Sequence, residues 1–331
     1  MRFLFRVGLL AIVSSLFFLV WTHYPANPIR LALLRWYQSN RTPSFPTCAN
    51  PQGAAFDGAH LWVACKGANA IEEINASDGK LLRTITDAVN LATPQYVLYD
   101  GSSIWVSNGS TSAGMLTKVR TSDGTILHTY AVGSGPYGMT FDGTSVWAAN
   151  YASASLSKVN VSSGVVTNYS ALSGCTKPDA LGFDGSHIWV NCYNGAGNGK
   201  VRELDLDGNP LRTVSVAPAP YNFAFDGTNI WVVNVRGNSV SKIVAVATSS
   251  CTSPPCFVAS YAVGTHPQGI AFDGKYVWVA NANDVTLTKL LASNPASGTQ
   301  TISVTSPPVF IAFDGSSIWV TSSADNNISK F

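Results

Sequence analysis

A twelve-residue frame, Pro, four residues, Phe or Tyr, Asp, Gly, three residues and Trp, is written seven times between Pro51 and Trp319. A chain built this way is a repeat protein before anything else is known of it. Its aspartates are Asp57, Asp100, Asp142, Asp184, Asp226, Asp273 and Asp314, spaced 43, 42, 42, 42, 47 and 41 residues apart. Seven of the nine tryptophans follow at one offset: Trp62, Trp105, Trp147, Trp189, Trp231, Trp278 and Trp319. Because the period never breaks, a division into two unrelated domains is excluded.

Each unit reads as strands. An apolar stretch such as GIAF before Asp273 and an alternating one such as YVWVAN after it are joined by Asp-Gly and two more residues. That is the chemistry of a hairpin whose turn needs the backbone freedom of glycine. Seven acids at one position mark a turn residue that accepts backbone amides rather than seven acid catalysts. The tryptophan, a large apolar plate in every copy, is expected to pack between neighbouring units.

A third strand follows with one charged residue, in turn Glu73, Lys118, Lys158, Glu203, Lys242, Lys289 and Lys330, then a polar turn and a fourth strand such as TILHTYAV. Four strands in each period, seven times over, predict an all-β fold: a seven-bladed β-propeller of four-stranded blades spanning 48–331. The seventh copy ends after its third strand, NNISKF, so part of 38–47 is expected to supply the missing outermost strand. Pro43 and Pro46 are tolerable there because an outer strand keeps one unpaired edge.

The first residues differ from this body. A basic start, an uncharged apolar run from Val7 to Trp21 and a polar, proline-containing exit predict one N-terminal hydrophobic helix within 1–26. It reads equally as a signal peptide or as an uncleaved membrane anchor through residues 3–21, with 27–47 as a linker. Both readings carry the propeller across a membrane, to the periplasm, the cell surface or the medium. Charged residues make up 11% of the chain against roughly a quarter in an average protein. Arg2, Arg6, Arg30, Arg35 and Arg41 precede the first acidic residue, Asp57, which leaves fifteen basic against eighteen acidic residues in the rest. Such a body lacks the clustered cations that displace counterions from phosphates, so nucleic acid is excluded as a partner.

The six cysteines follow the frame. Cys48 and Cys65 stand nine residues before and eight after their aspartate, and Cys175 and Cys192 repeat those offsets. Cys251 and Cys256 fall inside the 47-residue interval, whose extra residues are expected to lengthen the loop between the third and fourth strands of the fifth blade. Six cysteines allow fifteen connectivities. Repeat symmetry selects 48 with 65, 175 with 192, and 251 with 256. The rival reading, metal binding, finds neither CxxC spacing nor partnering histidines. Such bridges persist in an oxidising compartment.

The frame P-x-G-I-A-F-D-G-x-x-V-W-V-A-N, as at 267–281, resembles the blades of the NHL, YVTN and streptogramin lyase (virginiamycin B lyase) group of propellers, over residues 48–331. The resemblance implies that ligands bind at the face carrying the start of the first strand and the loop after the second. Residues there are Gln52, Gln95, Tyr137, Asp179, Tyr221 and Gln268 just after the prolines, with His266 before one of them, and Tyr151, Tyr193 and Arg236 in the loops. Amides, phenols and isolated charges suit binding a peptide, glycan or protein better than acid–base catalysis.

Streptogramin lyases, as the resemblance has it, place a glutamate and histidines around a divalent metal at this face, and gluconolactonase-type propellers hold calcium with Glu, Asn and Asp. This chain departs from both. Its glutamates, Glu72, Glu73 and Glu203, lie on third strands, and of its histidines only His266 is well placed. The expectation is therefore a monomeric binding or scaffold module at the cell envelope, with no cofactor, metal or catalytic residue. The alternative is a metal-dependent lyase or lactone hydrolase.

Overall fold

The computed structural model describes residues 43–331 apart from 110–112, 171–174, 193–196, 198 and 246–255. The apolar N-terminal segment expected to be a helix lies outside the described residues, as do Tyr193 and Cys251. Among the described residues there are seven four-stranded antiparallel sheets and no helix. Each sheet is a meander of consecutive strands, as in blade 1: Pro51–Phe56, His60–Cys65, Ala70–Asn75 and Leu81–Thr86.

The first strands line the centre. They run Pro51–Phe56, Pro94–Tyr99, Pro136–Phe141, Pro178–Phe183, Pro220–Phe225, Pro267–Phe272 and Phe310–Phe313, and each packs against the next. The last packs back on the first, so the ring is closed. Its seventh sheet is completed from the other end of the chain: Ser44–Pro46 pairs antiparallel with Asn327–Lys330, with Phe45 opposite Ile328.

The frame residues explain the blade. In each turn the glycine after the aspartate sits at φ between 89 and 104°, a region that side chains avoid. In blade 3, Asp142 Oδ1 accepts the amides of Thr144 and Ser145 at 2.8 and 2.7 Å. Its Oδ2 accepts the indole N–H of Trp147 at 2.7 Å. The same indole bond is made in all seven blades at 2.7–2.8 Å. The aspartate thus ties its turn to the tryptophan five residues on, a link that spacing alone does not disclose. Six of the tryptophans are 0% exposed and Trp278 is 7% exposed. Each fills the seam toward the following blade, as Trp62 does against Val97, Ile104 and Val106. An indole buries ~150–250 Å², on the order of 5 kcal/mol of transfer free energy before entropy is counted.

The third-strand charge stands directly opposite that tryptophan. In blades 2, 3, 5, 6 and 7 it is a lysine whose ammonium lies 4.5–5.1 Å from the indole centre. Lys118, Lys158, Lys242 and Lys330 also reach a backbone carbonyl of the next blade at 2.6–3.1 Å. Blades 1 and 4 carry glutamate instead, and these are the blades with the disulfides Cys48–Cys65 and Cys175–Cys192. Cys256 is also disulfide-bonded.

Candidate ligand-binding site

At one end of the ring lie the starts of the first strands and the loops after the second strands. In six blades the pairing register shifts just after the proline, so the next residue leaves the pleat alternation. Those residues are Gln52, Gln95, Tyr137, Asp179, Tyr221 and Gln268. A pocket of about 490 Å³ opens here across blades 3 to 6, lined by Tyr137, Tyr151, Asp179, Tyr221, Val235, Arg236, His266 and Gln268. Seven of the ten residues expected from the sequence therefore meet in one cavity. Gln52 and Gln95 lie instead along a crevice of about 20 Å³ that shares Tyr137 and Tyr221 with the pocket.

Asp179 is the single carboxylate among the described lining residues and is only 7% exposed. Its backbone N–H and that of Ala180 are accepted by Asn191 Oδ1 at 2.9 and 2.7 Å, while Asn191 Nδ2 donates to the carbonyl of Pro220 at 2.8 Å. Asn191 thus locks the start of blade 4 to that of blade 5. Gly138 does the same from the other side: a Cβ there would lie 2.7 Å from the Cα of Ala180 and 2.9 Å from the carbonyl oxygen of Asp179. The Asp179 backbone is held on both flanks, yet its carboxyl accepts no hydrogen bond from a described residue. Burial accordingly pushes that carboxyl up to about 7.

The phenols form the rest of the wall. Tyr221 Oη and Tyr137 Oη are 3.2 Å apart, with ring centres at 6.4 Å and an interplanar angle of 61°. Burial raises the Tyr137 hydroxyl, and it lifts that of Tyr221 well above the ordinary range, with the Tyr137 and Asp179 charges adding to the latter. Both stay neutral donors and acceptors at physiological pH. Tyr151 carries the Lys177 ammonium 5.2 Å from its ring centre. His266 and Arg236 are exposed at the rim, and Gln268 Nε2 lies 2.9 Å from His266 Nδ1.

His266 has a left-handed backbone, φ 55°. The same conformation precedes the proline at Asn50, Thr93 and Ala219, so it belongs to the blade frame and is no mark of catalysis. Asn108, Asn150, Asn234 and Asn281, at the ends of second strands, are fully buried. Each donates to a Ser or Thr of its own third strand, so they hold the blade and do not face a ligand.

Two clusters at the Asp-Gly end were not foreseen from the sequence. His60 Nδ1 lies 3.0 Å from Glu73 Oε1 and 3.5 Å from Asp57 Oδ2, and His187 repeats this with Glu203 and Asp184 at 3.2 and 3.5 Å. Two carboxylates and an imidazole resemble a metal set, but Arg83 Nε already sits 2.5 Å from Glu73 Oε2, and Arg212 Nε lies 3.5 Å from Glu203 Oε2. With an indole on each aspartate as well, the ligand atoms are spent on ion pairs and hydrogen bonds. Burial still raises both glutamates above their usual range, against the arginine and histidine charges.

No protein-family model and no curated protein sequence matches the chain. Solved structures do. It is similar to virginiamycin B lyase from Staphylococcus aureus at 19% identity, with 88% of this chain and 98% of that one covered and a TM-score of 0.70. Similarity extends to Kuenenia stuttgartiensis hydrazine synthase at 15% identity, covering 86% and 96% with a TM-score of 0.72. The Cps50 (Swd1) β-propeller domain of Myceliophteria thermophila matches at 11%, covering 88% and 99% with a TM-score of 0.72. At such identities the likeness is one of fold alone.

Proposed function

We propose that this protein is an exported binding module whose ligand, a segment of a peptide, glycan or protein at the cell envelope, inserts at the face formed by the first-strand starts. The observation that carries the reading is the pocket of about 490 Å³ uniting four blades around three tyrosines and one buried carboxylate. A concave site of this size with few convergent polar groups is the usual form of a ligand pocket. Export is supported by the disulfides of blades 1 and 4 and by the apolar N-terminal run. A thermal-shift screen of the full-length chain against peptide and glycan panels tests the reading. A ligand should raise the melting temperature, and substitution of Tyr151 or Tyr221 by Ala should abolish the rise. No stabilising ligand in either panel counts against it.

A second reading, a lyase or lactone hydrolase, draws on Asp179, since a carboxyl that titrates near neutrality in a cleft is what a general base requires. The divalent metal such an enzyme would use does not fit the residues present. The described lining offers one carboxylate and one imidazole, short of the oxygen-rich shell that magnesium or calcium takes. Calorimetric titration with magnesium, calcium and manganese separates the readings: stoichiometric binding that Asp179→Ala and His266→Ala both remove would favour the enzyme.

A further inference from the structure

Asp179 is more than nine-tenths buried, and its carboxyl receives no donor from the described residues. Folded proteins seldom leave such a group without a partner, because desolvating a charge costs several kcal/mol, of order ~3–5 when a partner is removed. The centre of this face thus offers one unpartnered carboxyl, and around it stand phenol rings whose faces carry negative electrostatic potential. The Tyr221 hydroxyl donates to that of Tyr137, which leaves the Tyr137 O–H and both ring faces as the contacts this pair can offer. Tyr151 shows the preference directly, since the ammonium of Lys177 sits against its ring.

We infer that the pocket receives an alkylammonium group, seated against Tyr137, Tyr151 and Tyr221 with Asp179 as its counter-charge. The inference rests on the ligand-binding reading above and adds the chemical class of the ligand. An ammonium supplies a charged N–H donor for the buried carboxyl and a cation for the ring faces. Of the other charged groups about the pocket, Arg236 and His266 are exposed at its rim and Lys177, also exposed, rests against the Tyr151 ring. The ammonium end therefore enters first, and the polar or anionic remainder of the ligand stays beside Arg236 and His266. Binding a cation requires Asp179 ionised, so affinity rises with pH through about 7.

The test is saturation-transfer NMR on the full-length chain, with butylamine, tetramethylammonium, butyrate and butanol as probes at about pH 8 and about pH 5.5. The two cations should bind at the higher pH and weaken by about tenfold per pH unit below 7. Asp179→Asn should abolish both the binding and its pH profile. Tyr151→Ala, at the edge of the site, should weaken binding without lowering the melting temperature. Butyrate or butanol binding in place of the amines overturns the ammonium assignment and leaves the binding module standing. Amine binding that survives Asp179→Asn with an unchanged pH profile also overturns it. If no probe and no member of the peptide and glycan panels binds, both readings fall together.

Discussion

At the scale of the residue, the same side chain plays opposite parts at two ends of the ring. In the Asp-Gly turns, burial would raise the carboxyls of Asp57, Asp100, Asp142, Asp273 and Asp314, but indole and amide donors outweigh it and hold them below the ordinary range. Such groups add stability above the unfolded carboxyl range and lose it as pH falls through their lowered values. Asp142→Asn should cost about 1–3 kcal/mol in chemical denaturation, because the amide turns an N–H toward the Trp147 N–H in place of an acceptor. Asp179 is the reverse case. Its value of about 7 lies above the ordinary 3.8, so its cost to the fold appears as pH rises from 3.8 and is complete above 7. At ~1.4 kcal/mol per unit the upper limit is about 4 kcal/mol. Asp179→Asn should therefore raise the melting temperature clearly at about pH 8 and hardly at about pH 4; an equal gain at both would refute the account. That Asp179 stands alone among amides and phenols is legible by counting from the prolines. Its lack of donors is not, because Asn191, one residue short of the position where other blades carry asparagine, accepts the Asp179 backbone N–H on its oxygen and donates its N–H to the Pro220 carbonyl, not to the carboxyl.

At the scale of the element, the blade is one design with its charges inverted in two copies. Lysine blades place a cation against the indole and the neighbouring carbonyl. Blades 1 and 4 put a glutamate there and recover positive charge from a histidine in the turn and an arginine on the fourth strand. Arg83 also reaches Ser122 O of the next blade at 3.2 Å, the role lysine has elsewhere. Glu73→Lys alone should then destabilise by about 2 kcal/mol or more, since it sets a buried cation beside His60 and Arg83. The triple change Glu73→Lys, His60→Ser and Arg83→Thr copies blade 3, where Ser145, Lys158 and Thr167 occupy these places, and should recover most of the loss. Failure of the triple variant to recover would show that the inverted set has a role beyond the blade. In the sequence Glu73 and Glu203 stand out among five lysines, and His60 and His187 share one turn position. Only the pairing register, which sets Glu73 between Trp62 and Arg83, shows that these belong together.

At the scale of the molecule, the ring depends on a strand of three residues. Ser44–Pro46 joins Asn327–Lys330 across nearly the whole chain, and closing so long a loop costs entropy that grows with the logarithm of its length. Several contacts offset it: Thr47 N–H to Asn326 O at 2.9 Å, Asn50 N–H to Asn326 Oδ1 at 2.7 Å, and Lys330 Nζ to Ala76 O at 2.6 Å. Phe45 packs 5.8 Å from Trp319 and against Gly79, where a Cβ would collide with its ring. The need for a borrowed strand was readable from a seventh copy that ends one strand short; that Phe45 takes the place Tyr130, Tyr169 and Tyr261 hold on the tryptophans of blades 2, 3 and 5 was not, because only its register with Ile328 discloses it. Two residues after this strand comes Cys48, bridged to Cys65, with its N–H accepted by Glu72 Oε2 at 3.0 Å. That bridge fixes the root of the closing strand to blade 1, whereas Cys175–Cys192 sits within the body of the ring. Paired Cys48→Ser and Cys65→Ser changes should thus cost about 3 kcal/mol, and the loss should be local before it is global. Hydrogen exchange would show the amides of 44–47 and 327–330 opening together in this variant, well ahead of the other blades. The matching change at Cys175 and Cys192 should leave those amides protected, and equal loosening in both variants would mean that the first bridge plays no special part in closing the ring.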